Sequence, residues 1–351
     1  MLKTLKNLNL KQKRVLVRCD FNVPLSAKGE ILDDFRIQAV LPTIEYLIKQ
    51  QAKIILMSHL GRPDGQVVEN LRLTPIQDRL MEYLDLSIVK APDCIGGEIE
   101  EWTKKMEPGE ILLLENLRFH REEEAGDLNF ARQLAQLGDV YINDAFAVSH
   151  RPHASVVGVA RFLPTAAGLL LEKEINILTK LKQKPNKPLV VIIGGAKAET
   201  KATLINQMSV KAEAVLVGGL INKEIKEKHI KIKYPERIIA PVDEVAGKDI
   251  GPATINLFEE KINSAKTIFW NGPLGWIEKE EFRQGTEEIA KAIIKSGAFS
   301  VVGGGETVEF ISQIGLLKKF NHVSTGGGAM LEFLAGEKLP GIEILYGNKK
   351  S

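Results

Sequence analysis

Apolar residues recur along this chain in two rhythms. Short β-branched runs at residues 14–19, 53–57, 111–114 and 140–143 read as strands buried on both faces. Between the first two, Ile37, Val40, Leu41, Ile44, Leu47 and Ile48 fall three or four positions apart, which gathers them on one face of a helix. This alternation predicts a parallel sheet with helices on both sides. It resumes with strands at 189–193, 215–217, 238–240, 268–270 and 299–302, each followed by a loop containing Gly or Pro. Between the two series, a helical pattern over 169–181 ends in a Lys/Pro-rich stretch that stops a helix. It fits a connecting helix or a crossover helix inside one large sheet, and we read it as connecting.

Length agrees with two cores, since 351 residues make a little over two domains of ordinary size. With 44% hydrophobic and 26% charged residues the composition is that of a globular protein, neither disordered nor fibrous. A net charge of +2, close to balance in each half, excludes a polyelectrolyte that holds nucleic acid by counterion release, so any basic site is local. Two residue types divide unevenly: 11 of 13 arginines lie in residues 1–180, and 20 of 30 glycines in 181–351. Cys19 and Cys94, 75 positions apart, match neither a disulfide framework nor a zinc motif, and Cys19 reads as a buried strand residue. No signal-peptide run and no 18-residue apolar stretch is present, so a soluble, cytoplasmic protein with no membrane contact is expected.

Ligands of parallel α/β sheets bind at the carboxyl ends of the strands, so the residues there carry the functional signal. In the first half these are Asp20 and Asn22 with Arg36 at the next helix start, then His59 and Arg62, then Arg118, then Arg151. Converging arginines suit bidentate recognition of phosphate and carboxylate, and so a small, strongly anionic ligand, although any one of them alone reads as a solvated surface charge. Asp20 is read as the acceptor for a ligand hydroxyl. His150 and His153 have two readings, ligand-facing or merely holding their loop. Glu122, Glu123 and Glu124 read as a solvated acidic run.

The second half places glycine at the same positions. Its loops are Gly194-Gly195-Ala196-Lys197 with Lys201, Gly218-Gly219, Asn271-Gly272-Pro273-Leu274-Gly275 with Glu278, Gly303-Gly304-Gly305-Glu306-Thr307, and Ser324-Thr325-Gly326-Gly327-Gly328. Glycine lets backbone N–H groups approach phosphate oxygens, and helix N-termini add positive potential, so these loops suit a nucleotide polyphosphate. No Walker A or G-x-G-x-x-G fingerprint occurs. Lys197 and Lys201, four apart at a helix start, are expected on one face. Magnesium takes one or two carboxylates beside phosphates and water. Glu306 is the candidate ligand, its alternative being an acid favoured by the helix dipole.

The motifs VRCDFNVPL, SHLGRP, LLENLRFHREE, NDAFAVSHRPHAS, IGGAKAETK, FWNGPLGWIE, VVGGGET and HVSTGGGAMLEFLAG follow one another in this order, and with them the chain resembles the phosphoglycerate kinase family over nearly its whole length. The resemblance implies two Rossmann-like, doubly wound α/β lobes: a 3-phosphoglycerate domain at 1–165, a hinge helix at 166–182, a nucleotide domain at 183–338, and a segment at 339–351 that returns to the first lobe. It implies reversible phosphoryl transfer between 1,3-bisphosphoglycerate and ADP, giving 3-phosphoglycerate and ATP, with Mg2+ and hinge closure, by a monomer. It assigns Asp20, Asn22, Arg36 and His59 to the carboxylate and hydroxyl end of the acid, and Arg62, Arg118 and Arg151 to its phosphate. It assigns Gly195, Lys201, Gly219, Asn271, Gly272, Pro273, Gly304, Gly305 and Thr307 to the nucleotide, Glu278 to its ribose and Glu306 to the metal. Arg36, Lys197 and the backbone at Gly327 and Gly328 would neutralise charge on the transferring group.

Two features depart from the family pattern. Position 306 is Glu where the family normally has Asp, and the stretch between Gly219 and Gly251, which helps form the adenosine pocket in the family, is much shorter. They motivate a second reading, a non-catalytic nucleotide-binding relative, against which Arg36 and Lys197 are retained. A nicotinamide-dependent dehydrogenase is a third, disfavoured by the missing dinucleotide fingerprint.

Overall fold

A computed structural model describes residues 2–346. The chain forms two compact units, Met1–Ile175 with Lys338–Ser351, and Asn176–Glu337. The first is built on a six-stranded sheet, β1 (Arg14–Arg18), β2 (Lys53–Met57), β3 (Ile88–Lys90), β4 (Ile111–Leu113), β5 (Val140–Asn143) and β6 (Thr165–Ala167), in the order β3-β4-β2-β1-β5-β6 with every pair parallel. Its helices are α1 (Phe35–Lys49), α2 (Thr74–Leu84), α3 (Gly97–Lys105), α4 (Arg121–Ala125) and α5 (Leu128–Gln136). Side chains alternate across the sheet. Val15, Val17, Ile54 and Leu56 pack with Ile37, Val40, Ile44 and Leu47 of α1. Leu16, Ile55 and Met57 face the other way and pack with Phe130 and Leu134 of α5.

The helix α6 (Leu169–Gln183) contains the boundary between the units. The second unit holds β7 (Leu189–Ile193), β8 (Ala214–Val217), β9 (Ile238–Ile239), a small antiparallel hairpin of β10 (Glu244–Val245) and β11 (Asp249–Ile250), then β12 (Thr267–Asn271), β13 (Phe299–Gly303) and β14 (His322–Val323). Its six-stranded sheet is parallel, in the order β14-β13-β12-β7-β8-β9. The helices are α7 (Ala198–Ser209), α8 (Gly219–Glu227), α9 (Pro252–Ser264), α10 (Gln284–Ser296), α11 (Gly305–Gln313) and α12 (Gly327–Ala335). On one face Val190, Ile192, Ile268, Trp270 and Val302 pack against Phe258 and Ile262 of α9 and Ile289 and Ile293 of α10.

In each sheet the connections reverse direction once, between β1 and β5 in the first and between β7 and β12 in the second. These switch points open crevices at the carboxyl ends of the strands, which is where α/β folds bind ligands. The strands that hydrophobic period alone did not predict are β3, β6, β14 and the hairpin. Each has two or three residues, too few for a period to show. The last helix, α13 (Pro340–Glu343), packs in the first unit: Gly341 N–H donates to the Ser149 carbonyl at 2.8 Å, and Asn143 Nδ2 donates to the Gly341 carbonyl at 3.0 Å. A Cβ on Gly341 would stand 2.7 Å from Val156 Cγ1, so this close approach requires glycine. Residues 347–351 of the expected C-terminal segment lie outside the described residues. No helix among the described residues is long and apolar enough to cross a membrane.

Asp144, just after β5, ties the first sheet to α6, because its Oδ1 accepts from the Leu171 N–H at 3.0 Å. Its Oδ2 is buried without a hydrogen-bond partner, and burial raises the carboxyl pKa from 3.8 to about 7. A raised folded-state pKa means that the native state disfavours the charge. Its stability contribution is therefore complete below about pH 4 and is lost as pH rises through about 7. Asp144→Asn is expected to flatten the fall in unfolding free energy between these pH values, measured by urea titration at successive pH. An unchanged slope would remove Asp144 as its source.

Candidate active site

Short loops after β1, β2, β4 and β5 bring the polar residues of the first unit together. Asn22 is a spacer between them: its Oδ1 accepts from the Gly61 N–H at 2.8 Å, which joins the loop after β1 to the loop after β2. Arg36, near the start of α1, donates from Nη1 to Asp20 Oδ2 at 2.9 Å and to the Asn22 carbonyl at 3.1 Å. Its side chain remains 29% exposed, so part of the guanidinium fork still reaches solvent, whereas Asp20 is buried. Arg118 is buried on the 3-10 turn after β4. It donates to the Gly61 carbonyl at 2.9 Å, stands 3.1 Å from Glu124, and leaves its Nε without a partner. Arg62 and Arg151 are exposed.

The centre of this cluster is a residue the strand-end reading missed. Arg18 is the last residue of β1 and is fully buried; it donates from Nε to Ser155 Oγ at 2.8 Å and stands 3.8 Å from Glu123. Glu123 is itself fully buried, accepting from Ser155 N–H at 2.8 Å and Ser155 Oγ at 2.6 Å. The expectation of a solvated acidic run is thereby corrected. Glu122 and Glu124 are exposed, but the short helix α4 turns Glu123 inward to meet an arginine that no surface could neutralise. The signal available in the sequence was an arginine between Val17 and Cys19, in a run that reads as buried on both faces.

Arg18 also decides the state of His59. Its Nη2 lies 3.2 Å from His59 Nδ1, and because a guanidinium only donates, Nδ1 accepts and the ring proton sits on Nε2. Burial, followed by Arg18, Arg118, Arg36 and His153, holds the His59 pKa well below 6.5. His59 is therefore a neutral N–H donor at pH 7. His153 is driven to about 3 by burial and then by Arg118, Arg18 and Arg151, and burial together with Arg151 also lowers His150. His153 Nδ1 stands 3.8 Å from Glu123. The positive potential of the site thus comes from arginines, a set of fixed charges that do not titrate near neutrality.

In the second unit the glycines permit contact between loops. A Cβ on Gly194 would fall 2.0 Å from the Pro273 carbonyl oxygen, and one on Gly272, at φ +91°, would fall 2.2 Å from the Gly194 carbonyl oxygen. The loops after β7 and β12 therefore touch backbone to backbone at the switch point. Thr307 Oγ1 accepts from the Gly272 N–H at 2.9 Å, and Asn271 Nδ2 donates to the Gly303 carbonyl at 2.8 Å, which ties the loop after β13 to the same place. A Cβ on Gly327, at the start of α12, would lie 3.4 Å from Gly304 Cα, so α12 begins beside this loop, and Gly328 is exposed in the same first turn.

The two lysines do not share a helix face. Lys197 precedes α7 in a left-handed conformation, φ 65° and ψ 60°, with an exposed side chain, while Lys201 lies within the first turns of α7, buried, and donates to the Gly194 carbonyl. Burial lowers the Lys201 pKa to about 8, an effect that Glu306 and then Glu224 oppose. Lys201 thus stays predominantly charged at neutral pH, beside the candidate metal ligand.

A cavity of about 280 Å³ opens beside these loops, lined by Gly195, Gly219, Pro273, Glu278 and Glu306. Glu244, Gly247, Lys248 and Asp249 from the shortened stretch also line it, together with Trp276, which is 44% exposed and whose ring lies 5.1 Å from Lys248 Nζ. The shortened stretch therefore still contributes a wall. Glu306, exposed in the first turn of α11, presents one carboxylate there, the donor count that a hard cation already carrying phosphate oxygens accepts. The one group of His, Cys and carboxylate ligand atoms close enough to share an ion, among the described residues, is Asp93, Cys94 and His120, and it does not include Glu306. His120 Nε2 and Asp93 there already pair at 2.7 Å.

Comparison with known proteins gives the family. The family model described as phosphoglycerate kinase matches residues 5–233 and 221–337. The chain is 44% identical to the phosphoglycerate kinase of Moorella thermoacetica, covering 97% of this chain and 98% of that one. It is also 44% identical to that of Dictyoglomus turgidum, covering 97% of each. The alignment with the Moorella protein runs over 387 positions against 351 residues here, so that relative carries segments this chain lacks. The two stretches of the family match meet at residues 221–233, within the shortened region. Among solved structures, phosphoglycerate kinase from Pyrococcus horikoshii matches with a TM-score of 0.86 at 33% identity over 98% of this chain and 99% of that one. The Coxiella burnetii enzyme matches with a TM-score of 0.82 at 34% identity over 99% of both.

Proposed function

The chain belongs to the phosphoglycerate kinase family and is a phosphotransferase with a carboxyl acceptor; on that premise we propose how its own residues divide the work. Asp20, Asn22, Arg36 and His59 hold the carboxylate and hydroxyl end of 3-phosphoglycerate, and Arg62, Arg118 and Arg151 its phosphate. The observation that carries this is the arginine cluster around a neutral His59, an anion site whose charge is independent of pH near neutrality. His59 offers Nε2–H to a ligand oxygen, and Asp20 accepts the ligand hydroxyl while Arg36 screens its charge. Lys201 and the glycine loops hold the phosphates of ADP or ATP, with Gly195, Gly219, Asn271, Gly272, Pro273, Gly304, Gly305 and Thr307 shaping the crevice and Glu278 at the ribose.

The acceptor carboxylate is already ionised at pH 7, so no general base is needed. Catalysis consists of in-line positioning and of neutralising charge on the transferring group by Arg36, Lys197 and the N–H groups at Gly327 and Gly328. Magnesium, bound with the nucleotide through Glu306, would supply charge neutralisation on the phosphate oxygens. An acyl phosphate is lost to water unless water is excluded at transfer, so closure about α6 is part of the proposal.

The test is a coupled assay with 3-phosphoglycerate, MgATP, NADH and glyceraldehyde-3-phosphate dehydrogenase. NADH oxidation dependent on this protein is expected, and none above a blank lacking it would refute the assignment. Glu306→Gln keeps the side-chain length and removes its charge. It is expected to raise the magnesium concentration needed for half-maximal rate by about tenfold, as the loss of one charge-assisted contact does, with little change in KM for 3-phosphoglycerate. An unaltered magnesium dependence would exclude Glu306 as the ligand.

A further inference from the structure

Lys197 holds a backbone conformation that L-residues avoid, and the structure shows what fixes it. At φ 65° and ψ 60° it sits immediately before α7, where the first N–H groups of a helix have no partner within the helix. The partner comes from a different helix. Glu224, on α8, accepts from the Ala198 N–H through Oε2 at 2.8 Å and from the Lys197 N–H through Oε1 at 3.3 Å. Its side chain is 15% exposed, and Lys228, which caps the C-terminal end of α8, stands 3.6 Å from the same carboxylate. One carboxylate thus binds two successive N–H groups on either side of the Lys197 Cα, leaving the Lys197 side chain exposed. These backbone bonds, that to Ala198 first, hold the Glu224 carboxyl below the usual range, so it is ionised at neutral pH.

We propose that Glu224 is a positioning residue for phosphoryl transfer, locking Lys197 from the backbone side so that its ammonium is presented in one place. The inference rests on the assignment of Lys197 to the transferring phosphoryl group made above. Glu224 touches neither substrate nor reacting atoms. It acts through the Lys197 and Ala198 N–H groups, replacing the glycine-like freedom of a left-handed residue with a fixed geometry, and a preorganised charge is worth more to a transition state than a mobile one. The interaction joins α7 to α8, the helix that opens the shortened stretch, so this stretch contributes to catalysis as well as to the cavity wall.

The experiment is a double-mutant cycle in the coupled assay, using the full chain. Glu224→Ala is expected to lower kcat about tenfold while changing KM for MgATP and for 3-phosphoglycerate less than about threefold, because what is lost is transition-state positioning rather than ground-state binding. Glu224→Gln, which keeps an acceptor oxygen, is expected to restore kcat to within about threefold of wild type. In a Lys197→Ala background, Glu224→Ala is expected to cause no further loss, since the residue it positions is gone. A wild-type kcat in Glu224→Ala, or losses that simply multiply in the double variant, would overturn the proposal. Inactive wild-type protein would instead refute the kinase assignment beneath it. Should Glu224→Ala fail to fold, Glu224→Asp, whose carboxylate is one methylene shorter and falls short of the two N–H groups, decides the same question in both backgrounds by coupling or its absence.

Discussion

Arg36→Ala is expected to lower turnover at least about a hundredfold, the loss of one preorganised donor to a developing charge being worth about 3 to 4 kcal/mol, with KM for MgATP little changed. The reason lies in how Arg36 is held. Asp20 and the Asn22 carbonyl take one nitrogen, Nη1, and so fix the plane of the guanidinium while other donors of the fork remain. An arginine so oriented neutralises charge without reorganising during the reaction. Arg36→Lys is not expected to rescue, because a single ammonium meets neither Asp20 and Asn22 nor a phosphoryl oxygen in the same geometry. Lys197→Ala should match Arg36→Ala in size. Steady-state kinetics with both substrates varied decides the matter: an Arg36→Ala enzyme within tenfold of wild-type kcat would sink the role.

Glu123→Ala carries the largest expected effect on stability. It strands the Arg18 guanidinium, fully buried, and removes the acceptor for both Ser155 N–H and Ser155 Oγ. Breaking a buried ion pair by deleting one partner costs about 3 to 5 kcal/mol, chiefly because the remaining charge stays unpaired. Urea unfolding at pH 7 measures it, and a loss below about 1 kcal/mol would mean that water or a shifted side chain compensates. A kinetic consequence accompanies it. With Arg18 displaced, His59 Nδ1 loses the donor that sets its tautomer, and KM for 3-phosphoglycerate should rise in whatever fraction of Glu123→Ala folds. Replacing both Arg18 and Glu123 by apolar residues is expected to recover much of the stability and none of the affinity.

Hydrophobic periodicity in a single stretch carried most of the fold. The β-branched runs and the stripe from Ile37 to Ile48 are local signals, and they fell where strands and α1 stand, because a strand buried on both faces and a helix buried on one each need their pattern within a few residues. The strand-end rule then picked out Asp20, Asn22, His59 and Arg118 from topology alone, and the structure brings them and Arg36 together. The same reasoning failed for Glu123. In the run Glu122-Glu123-Glu124 nothing local distinguishes the inward residue from its neighbours, since the facing of the short helix α4 is decided by packing against the segment that carries Ser155.

The amino-acid sequence by itself therefore determined two parallel sheets, the loops that bear chemistry, and the division between an arginine-lined site and a glycine-lined one, because these follow from periodicity and from which residue types stand at strand ends. Tertiary structure alone decided which of those residues are charged and held. Arg18 sets His59 neutral with its proton on Nε2, Glu123 neutralises Arg18, and Glu224 binds the backbone of Lys197, each across 27 or more positions of sequence. Such pairings depend on burial and on distances between separate elements, and a carboxylate's role in them is invisible until the chain has placed it beside a cation or an unpaired N–H.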